Sequence, residues 1–218
     1  MKTPFFSIVL TTHNRAKLLP RALESLINQT EKDWELILID DGSTDQTAEI
    51  IKPYLKAIEN INYFYQENQG FINAKNVGIR KSTGRYITFL DSDDEYHPTH
   101  LAKRKQLLKK EENIDFLHGG VKIIGSAYVP DANNPTEKIH LSDCFIGGTF
   151  ILNKKAVQKL KGFESTALKT DYDFMQRAKS ADLKIVKTDF PTYIYYRDSE
   201  NSITLDMLAE LDKKSTAQ

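Results

Sequence analysis

Three carboxylates fall within four positions, at Asp91, Asp93 and Asp94, directly after the apolar, β-prone run Tyr86-Ile87-Thr88-Phe89-Leu90. Such a run reads as a short buried strand. Unpaired carboxylates are too costly to desolvate, so the acids are expected to stay out of the core. A buried strand would then end at a surface where negative charge converges. Clustered oxygen ligands suit a hard divalent ion, Mg²⁺ or Mn²⁺. A solvated acidic turn without a task is the plain alternative. Asp91-Ser92-Asp93 with Glu95 also resembles the start of a calcium loop, but Tyr96 stands at the sixth position, where that loop needs glycine.

Two more polar clusters close apolar runs. Thr11, Thr12, His13, Asn14 and Arg15 follow residues 5–10, and Asp40, Asp41, Gly42 and Ser43 follow residues 34–39. No G-x-G-x-x-G follows the first run and no G-x-x-x-x-G-K-[ST] is present. With neither phosphate-cradling loop, a diphosphate would need a metal and local basic groups. Arg15, Lys75 and Arg80 are the candidates.

The elements that must position these groups follow from periodicity. Residues 5–12, 34–39, 61–66 and 86–90 read as strands. Leu18, Leu19, Ala22, Leu23, Leu26 and Ile27 recur at helical spacing, with Pro20 in the first turn. A second helix is expected from a cap at Ser43 or Thr44 to about Ala57, with Asp45 near its positive end and Pro53 kinking or ending it. A third is expected over residues 74–81, with Gly84 as its C-cap. Alternation of this kind predicts an α/β fold, a mostly parallel sheet with helices on both faces. Ligands of such sheets sit beyond the carboxyl ends of the strands. Three of the four strands end in polar clusters, so convergence on one crevice is expected, and the plain reading of the acidic turn becomes the weaker one.

The chain has 218 residues, enough for one large domain or two small ones. Lys+Arg and Asp+Glu both number 30, which argues against a nucleic-acid partner held by a broad basic field. The single Cys144 cannot form an intramolecular disulfide, which fits a reducing compartment. No apolar run approaches the roughly 18–20 residues of a membrane span, and the N-terminus lacks a signal-peptide pattern. A soluble cytoplasmic protein is expected, with room for peripheral association with the inner face of a membrane.

Taken together, the motifs Ser7-Ile8-Val9-Leu10-Thr11-Thr12-His13-Asn14-Arg15, Ile39-Asp40-Asp41-Gly42-Ser43-Thr44-Asp45, Asn68-Gln69-Gly70, Ala74-Lys75-Asn76-Val77-Gly78 and Gly84-Arg85-Tyr86 through Asp94 resemble family 2 glycosyltransferases of the GT-A fold. The resemblance spans residues 5–100 almost without a gap and continues weakly to about 204. It implies a Rossmann-like, mostly parallel central sheet plus a small antiparallel sheet on the acceptor side. It implies inverting transfer of a sugar from a nucleoside-diphosphate donor, weighted toward UDP, to a saccharide or lipid-linked acceptor, in cell-surface polysaccharide or glycan biosynthesis. Asp91-Ser92-Asp93 is similar to the family's DxD motif. Asp91 would face the ribose or an associated water, and Asp93 would bind Mn²⁺ or Mg²⁺. Asp41 matches the position that accepts from the base, Thr11 and His13 match positions lining it, and Lys75 matches the basic residue near base and diphosphate.

The resemblance also orders the second half. Residues 115–125 read as a strand and its continuation, and residues 126–143 as a mobile, Pro/Asn-rich loop. Residues 144–152 look like the family's acceptor-side strand, where Gly147 and Gly148 would let backbone approach a sugar and Thr149 would line it. Residues 154–161 read as a helix, with Gly162-Phe163-Glu164 matching the following turn. Thr170-Asp171-Tyr172-Asp173 resembles the ED-x-D motif with Thr170 in place of its Glu. Asp171 keeps the position of the catalytic base, and a helix N-terminus would hold it ionised. Arg197 and residues 201–204 resemble the closing segment, with Ser199 where many relatives carry His. Tyr193, Tyr195 and Tyr196 read as packing under the sheet. One catalytic domain is expected over 1–211, with donor half 1–100, acceptor half 101–211 and a frayed tail at 212–218. An aspartate-nucleophile phosphatase is disfavoured because Glu95 stands two residues after Asp93 and the motif follows the fourth strand. A non-catalytic nucleotide-sugar-binding module is the remaining alternative.

Overall fold

The computed structural model describes residues 3–111, 113–131, 137–164 and 169–197. Ser199, the segment 201–204 and the tail 212–218 lie outside the described residues. Four of the strands read from the sequence are present: β1 (Phe6–Thr12), β2 (Trp34–Asp41), β3 (Ile61–Gln66) and β4 (Tyr86–Asp91). Between them run α1 (Leu19–Ile27), α2 (Thr47–Ala57) and α3 (Phe71–Lys81). A two-residue strand β5 (Glu95–Tyr96) and helix α4 (His100–Lys110) follow. The second half supplies β6 (Phe116–His118), β7 (Val121–Ile124), β8 (Tyr128–Pro130), β9 (Lys138–His140), β10 (Ile151–Asn153), α5 (Lys154–Leu160), α6 (Thr170–Ser180), β11 (Ile185–Lys187) and β12 (Tyr193–Tyr196).

Seven strands form the central sheet in the order β11-β6-β10-β4-β1-β2-β3. Every adjacent pair is parallel except those of β10, which runs antiparallel to β4 and β6. Both halves of the chain therefore share one sheet. Side chains alternate between its faces, as the pleat requires. Ile8, Leu10, Leu36, Leu38 and Leu90 join α1, α2 and α4 in one core. Val9, Ile87 and Phe89 join α5 and α6 in the other. Each such side chain contributes about 1.5–3 kcal/mol by leaving water. Helix α3 lies tightly on β1, and a Cβ at Gly78 would collide with Val9 Cγ1.

The register brings the strand ends to one level. Thr11 lies opposite Ile39 on one side and Asp91 on the other, and Thr12 lies opposite Asp40. The expected convergence at the carboxyl ends of β1, β2 and β4 is therefore a fact of the fold. A smaller three-stranded sheet, β5-β12-β7, pairs β12 antiparallel with β5 and parallel with β7. Strands β8 and β9 form a separate antiparallel pair.

Several local expectations give way. Helix α2 is not capped by Ser43 or Thr44; Asp45 Oδ1 accepts from Thr47 N at 2.9 Å, and the helix runs through Pro53 to Ala57. Helix α3 ends on Ser82 rather than Gly84. Gly84 is small because a Cβ would lie 2.7 Å from Ser7 N. The stretch 126–143 is not all loop, since it carries β8, β9 and a 3₁₀ turn, Leu141–Asp143. Nor are residues 144–152 one strand. A 3₁₀ turn, Gly147–Thr149, interrupts them before β10. Among the described residues no helix is long and apolar enough to cross a membrane.

Candidate active site

The acids do not all stay out of the core. Asp40, Asp41 and Asp94 are buried, because each has donors that replace water. Asp40 accepts from Ser43 N at 2.9 Å on Oδ1 and from the Tyr63 hydroxyl at 2.9 Å on Oδ2. Asp94 accepts from the Tyr193 hydroxyl at 2.6 Å and from Tyr196 N at 2.9 Å. Asp94 therefore ties β12 to the end of β4. Tyr193 is correspondingly not a packing residue alone. Its oxygen also lies 3.4 Å from Asp91 Oδ2 and accepts from Asp91 N at 3.5 Å.

At the end of β2, Asp41 Oδ1 accepts from Gln66 Nε2 at 2.7 Å and Gln69 N at 2.9 Å. His13 Nδ1 lies 2.8 Å from the Asp41 carbonyl, which can only accept, so this nitrogen carries the proton. Nε2 then accepts from Asn68 Nδ2 at 3.2 Å. The imidazole is fixed in orientation while remaining exposed. Thr11 sits half-buried one strand away, opposite Asp91.

Lys75 is buried on α3, with Nζ 3.1 Å from Asp91 Oδ1. Burial works against its charge, but Asp91, then Asp171 and Asp93, oppose that and raise its pKa. One ammonium thus serves three carboxylates. Arg80 does not join them; it is exposed and lines a cleft of about 470 Å³ along α3. Asp93 is raised by burial and by Asp91, against the fields of Arg15 and Arg21. Asp94 is raised well above its ordinary value by burial, Asp91 and Asp93. Ser92, between them, is buried.

Among the described residues no group of three or more His, Cys, Asp or Glu is disposed to hold a metal ion. The donors nevertheless fit one. Asp93 offers hard oxygen in a place where neighbouring carboxylates make a cation favourable. An ion taking one or two carboxylate ligands and completing its shell from substrate phosphates is the usual arrangement for Mg²⁺.

On the other side of the crevice, Asp171 stands in the first turn of α6, and its Oδ2 accepts from Gly147 N at 2.8 Å. Its pKa is raised, not held down as the helix N-terminus suggested. Burial outweighs the lowering effects of Lys75 and the Gly147 N–H, and Asp91 adds to the rise. Asp173, two residues on, pairs with Arg177 at 2.8 Å.

The other expected acceptor groups face inward. A Cβ at Gly147 would collide with Asp171 Oδ1, and one at Gly148 with the Tyr193 hydroxyl. The two glycines are small to admit those side chains. The Thr149 hydroxyl donates to Ile146 O at 2.8 Å and accepts from Gly119 N at 3.0 Å, so it is engaged in its own turn. Thr170 is buried. Arg197 reaches the Tyr195 hydroxyl at 3.3 Å, and its buried Nε has no partner among the described residues.

Two residues at the site, Arg21 and Asn76, make contacts that have no signal in the sequence. The Arg21 guanidinium lies 3.6 Å over the Tyr196 ring and donates to the Asp93 carbonyl. Asn76 donates to Phe163 O at 2.9 Å and accepts from Phe163 N at 2.8 Å. The Phe163 ring stacks on Phe174 of α6 at 4.2 Å and meets Phe89 of β4 edge-on at 5.2 Å. Helix α3, the strand bearing Asp91 and the helix bearing Asp171 thus meet at Phe163.

The model described as Glycosyl transferase family 2 matches residues 7–161. An uncharacterized glycosyltransferase of Rickettsia typhi (strain ATCC VR-144 / Wilmington) is 30% identical over 223 residues, covering 97% of this chain and 69% of that protein. The "putative teichuronic acid biosynthesis glycosyltransferase TuaG" of Bacillus subtilis (strain 168) is 31% identical over 128 residues, 58% of this chain and 50% of that protein. Other relatives are much longer: the chain covers 16% of one from Rickettsia bellii, at 39% identity over 112 residues and 51% of this chain. Among solved structures, S. aureus TarS 1–349 in complex with UDP-GlcNAc superposes with a TM-score of 0.74 at 21% identity, covering 92% of this chain and 60% of that one. Mannosyltransferase PcManGT from Pyrobaculum calidifontis, in complex with GDP-Man and Mn²⁺, gives 0.72 at 16% identity, covering 100% and 66%. At those identities the likeness is one of fold, the GT-A fold.

Proposed function

The chain belongs to glycosyl transferase family 2, and on that premise we propose that it moves a sugar from a nucleoside-diphosphate donor, UDP-linked by preference, to a saccharide or lipid-linked acceptor. Transfer inverts the anomeric carbon and serves polysaccharide synthesis on the cytoplasmic side, with any membrane contact peripheral. The observation that carries this reading is the buried Lys75 ammonium, set against Asp91 and within the fields of Asp171 and Asp93. It ties the acids of the donor side to the carboxylate across the crevice.

In this reading Asp41 accepts from the nucleoside base while His13 and Thr11 line it. Asp91 faces the ribose, with Ser92 behind it in the turn. Arg15 and Lys75 supply positive charge near the diphosphate, and Arg197 does so from the closing strand. Asp93 would hold the divalent ion, Mn²⁺ or Mg²⁺, which when bound offsets the charge that gathers on the leaving diphosphate. Asp171 takes the proton of the acceptor hydroxyl as that oxygen attacks the anomeric carbon. The bond from that carbon to the diphosphate breaks on the opposite face, and the diphosphate leaves with the electron pair. A carboxyl raised by burial is a stronger base than an exposed one once ionised. The Gly147 N–H holds it in place.

A module of the same fold that binds nucleotide sugar without turnover is the second reading. Thr170 in place of the family's Glu favours it, whereas the Asp171 clamp supports catalysis. A thermal-shift panel of UDP, GDP and dTDP, each with and without Mn²⁺, tests the donor site. Stabilisation by one of them that needs Mn²⁺ and is lost in Asp93→Ala is expected. No shift with any nucleotide rejects the assignment.

A further inference from the structure

The residues expected to meet the acceptor face inward, yet one large aromatic beside Asp171 faces outward. Tyr172 is 55% exposed. Its ring lies 6.2 Å from that of Phe145, tilted by 40°. Phe145 is itself half-buried, braced edge-on by His118 at 5.7 Å and topped by Lys179 Nζ at 5.4 Å. It stands two residues before Gly147, whose N–H holds Asp171, and the intervening Ile146 has extended backbone. At about 3.3 Å per extended residue, the Cα atoms of Phe145 and Gly147 lie about 7 Å apart.

Tyr65 and Tyr128 are also exposed, so exposure alone is no signal. Tyr172 differs in being adjacent to Asp171 in α6 and in contact with the segment that holds that carboxylate. A saccharide ring has an apolar face of C–H groups and a polar rim of hydroxyls. The negative face of an aromatic ring attracts such C–H groups, and a rim hydroxyl can then reach a neighbouring carboxylate. The geometry points to an acceptor subsite in which a saccharide ring stacks on Tyr172, with Phe145 as the second wall and one hydroxyl directed at Asp171. This inference rests on the transferase reading above.

The test uses the whole chain and UDP-glucose, UDP-GlcNAc and GDP-mannose as donors. The rate of donor hydrolysis, with water as acceptor, is compared with transfer to a panel of methyl glycosides of glucose, galactose, mannose and N-acetylglucosamine. Tyr172→Ala is expected to keep hydrolysis within about threefold of wild type while transfer to the preferred glycoside falls at least about tenfold through a higher acceptor KM. Tyr172→Phe and Tyr172→Trp are expected to retain transfer. The subsite is overturned if Tyr172→Ala transfers as well as wild type, if Tyr172→Phe is as poor as Ala, or if wild type hydrolyses a donor but serves none of the glycosides. Absence of hydrolysis in wild type with every donor would instead strike the transferase reading itself.

Discussion

Lys75 Nζ sits 3.1 Å from Asp91 Oδ1, so a cation buried on α3 is paired to the strand end where the acids gather. Breaking a buried pair costs about 3–5 kcal/mol. Asp91 is about a third exposed, which reduces this to about 1–3 kcal/mol. Lys75→Met should therefore lower the melting temperature by about 3–10 °C in chelator. Mn²⁺ should restore part of the loss by replacing the missing positive charge. An unchanged melting temperature would show that the pair does not hold the acid cluster.

Tyr193→Phe removes one hydroxyl and leaves the ring in place. Asp94 then loses the 2.6 Å donor while still buried. A buried polar group left short of a partner costs about 1–3 kcal/mol. Urea unfolding should show a loss of that size, with weaker Mn²⁺-dependent nucleotide binding by calorimetry. Wild-type stability in this variant would mean that Asp94 is held by other groups.

Asn76 is the joint between α3 and the turn that leads toward α6. The helix itself is anchored on β1 through Gly78, so Asn76→Ala should free the Gly162-Phe163 turn more than the helix. Nucleotide Kd should stay within about threefold while the turnover of donor hydrolysis falls about tenfold or more. Equal losses in both would reduce Asn76 to a general stabiliser.

His100 is buried, stacked on Tyr96 at 3.7 Å, and its pKa is pushed well below 6.5 by burial and by Arg104 nearby. His118 is likewise pushed down, to about 4, by burial and by Lys187 and Lys179. Both imidazoles are neutral when folded and take up protons on unfolding. Their contribution is present above pH 6.5 and is lost progressively as pH falls below it, for His118 as pH falls through about 4. His100→Phe keeps the stack and removes one titration. The slope of stability against pH below 6.5 should then fall by nearly one proton, about 1.36 kcal/mol per pH unit. Parallel curves for the two proteins would contradict the neutral assignment.

The donor side was legible because its signals are local. Residues 5–12, 34–39, 61–66 and 86–90 carry their strand character in local runs rich in apolar residues, and the folded strands differ by a residue or two at their ends, β2 running on through Asp40 and Asp41 and β4 through Asp91. The acceptor side was less so. Gly147 and Gly148 read as openings for a sugar, whereas Asp171 and Tyr193 fill that space from distant segments. Asp94 read as a solvated acid because its donors, Tyr193 and Tyr196, lie about a hundred residues on. Asp171 was placed by its motif, but the direction of its pKa depends on burial that no local pattern reports. Pairings between remote polar residues, such as Asn76 with Phe163 or Arg21 with Asp93, leave no periodic trace.

The central claim is that Asp171 activates the acceptor for attack on a nucleotide sugar. The most direct measurement is release of nucleoside diphosphate from UDP-glucose, UDP-GlcNAc or GDP-mannose by wild type and by Asp171→Asn, with nucleotide affinity measured on the same samples. Wild type should release the diphosphate. Asp171→Asn should bind the nucleotide within about threefold of wild type and turn over at least about a hundredfold more slowly, in keeping with the usual contribution of general base catalysis. Undiminished release by Asp171→Asn would contradict the account.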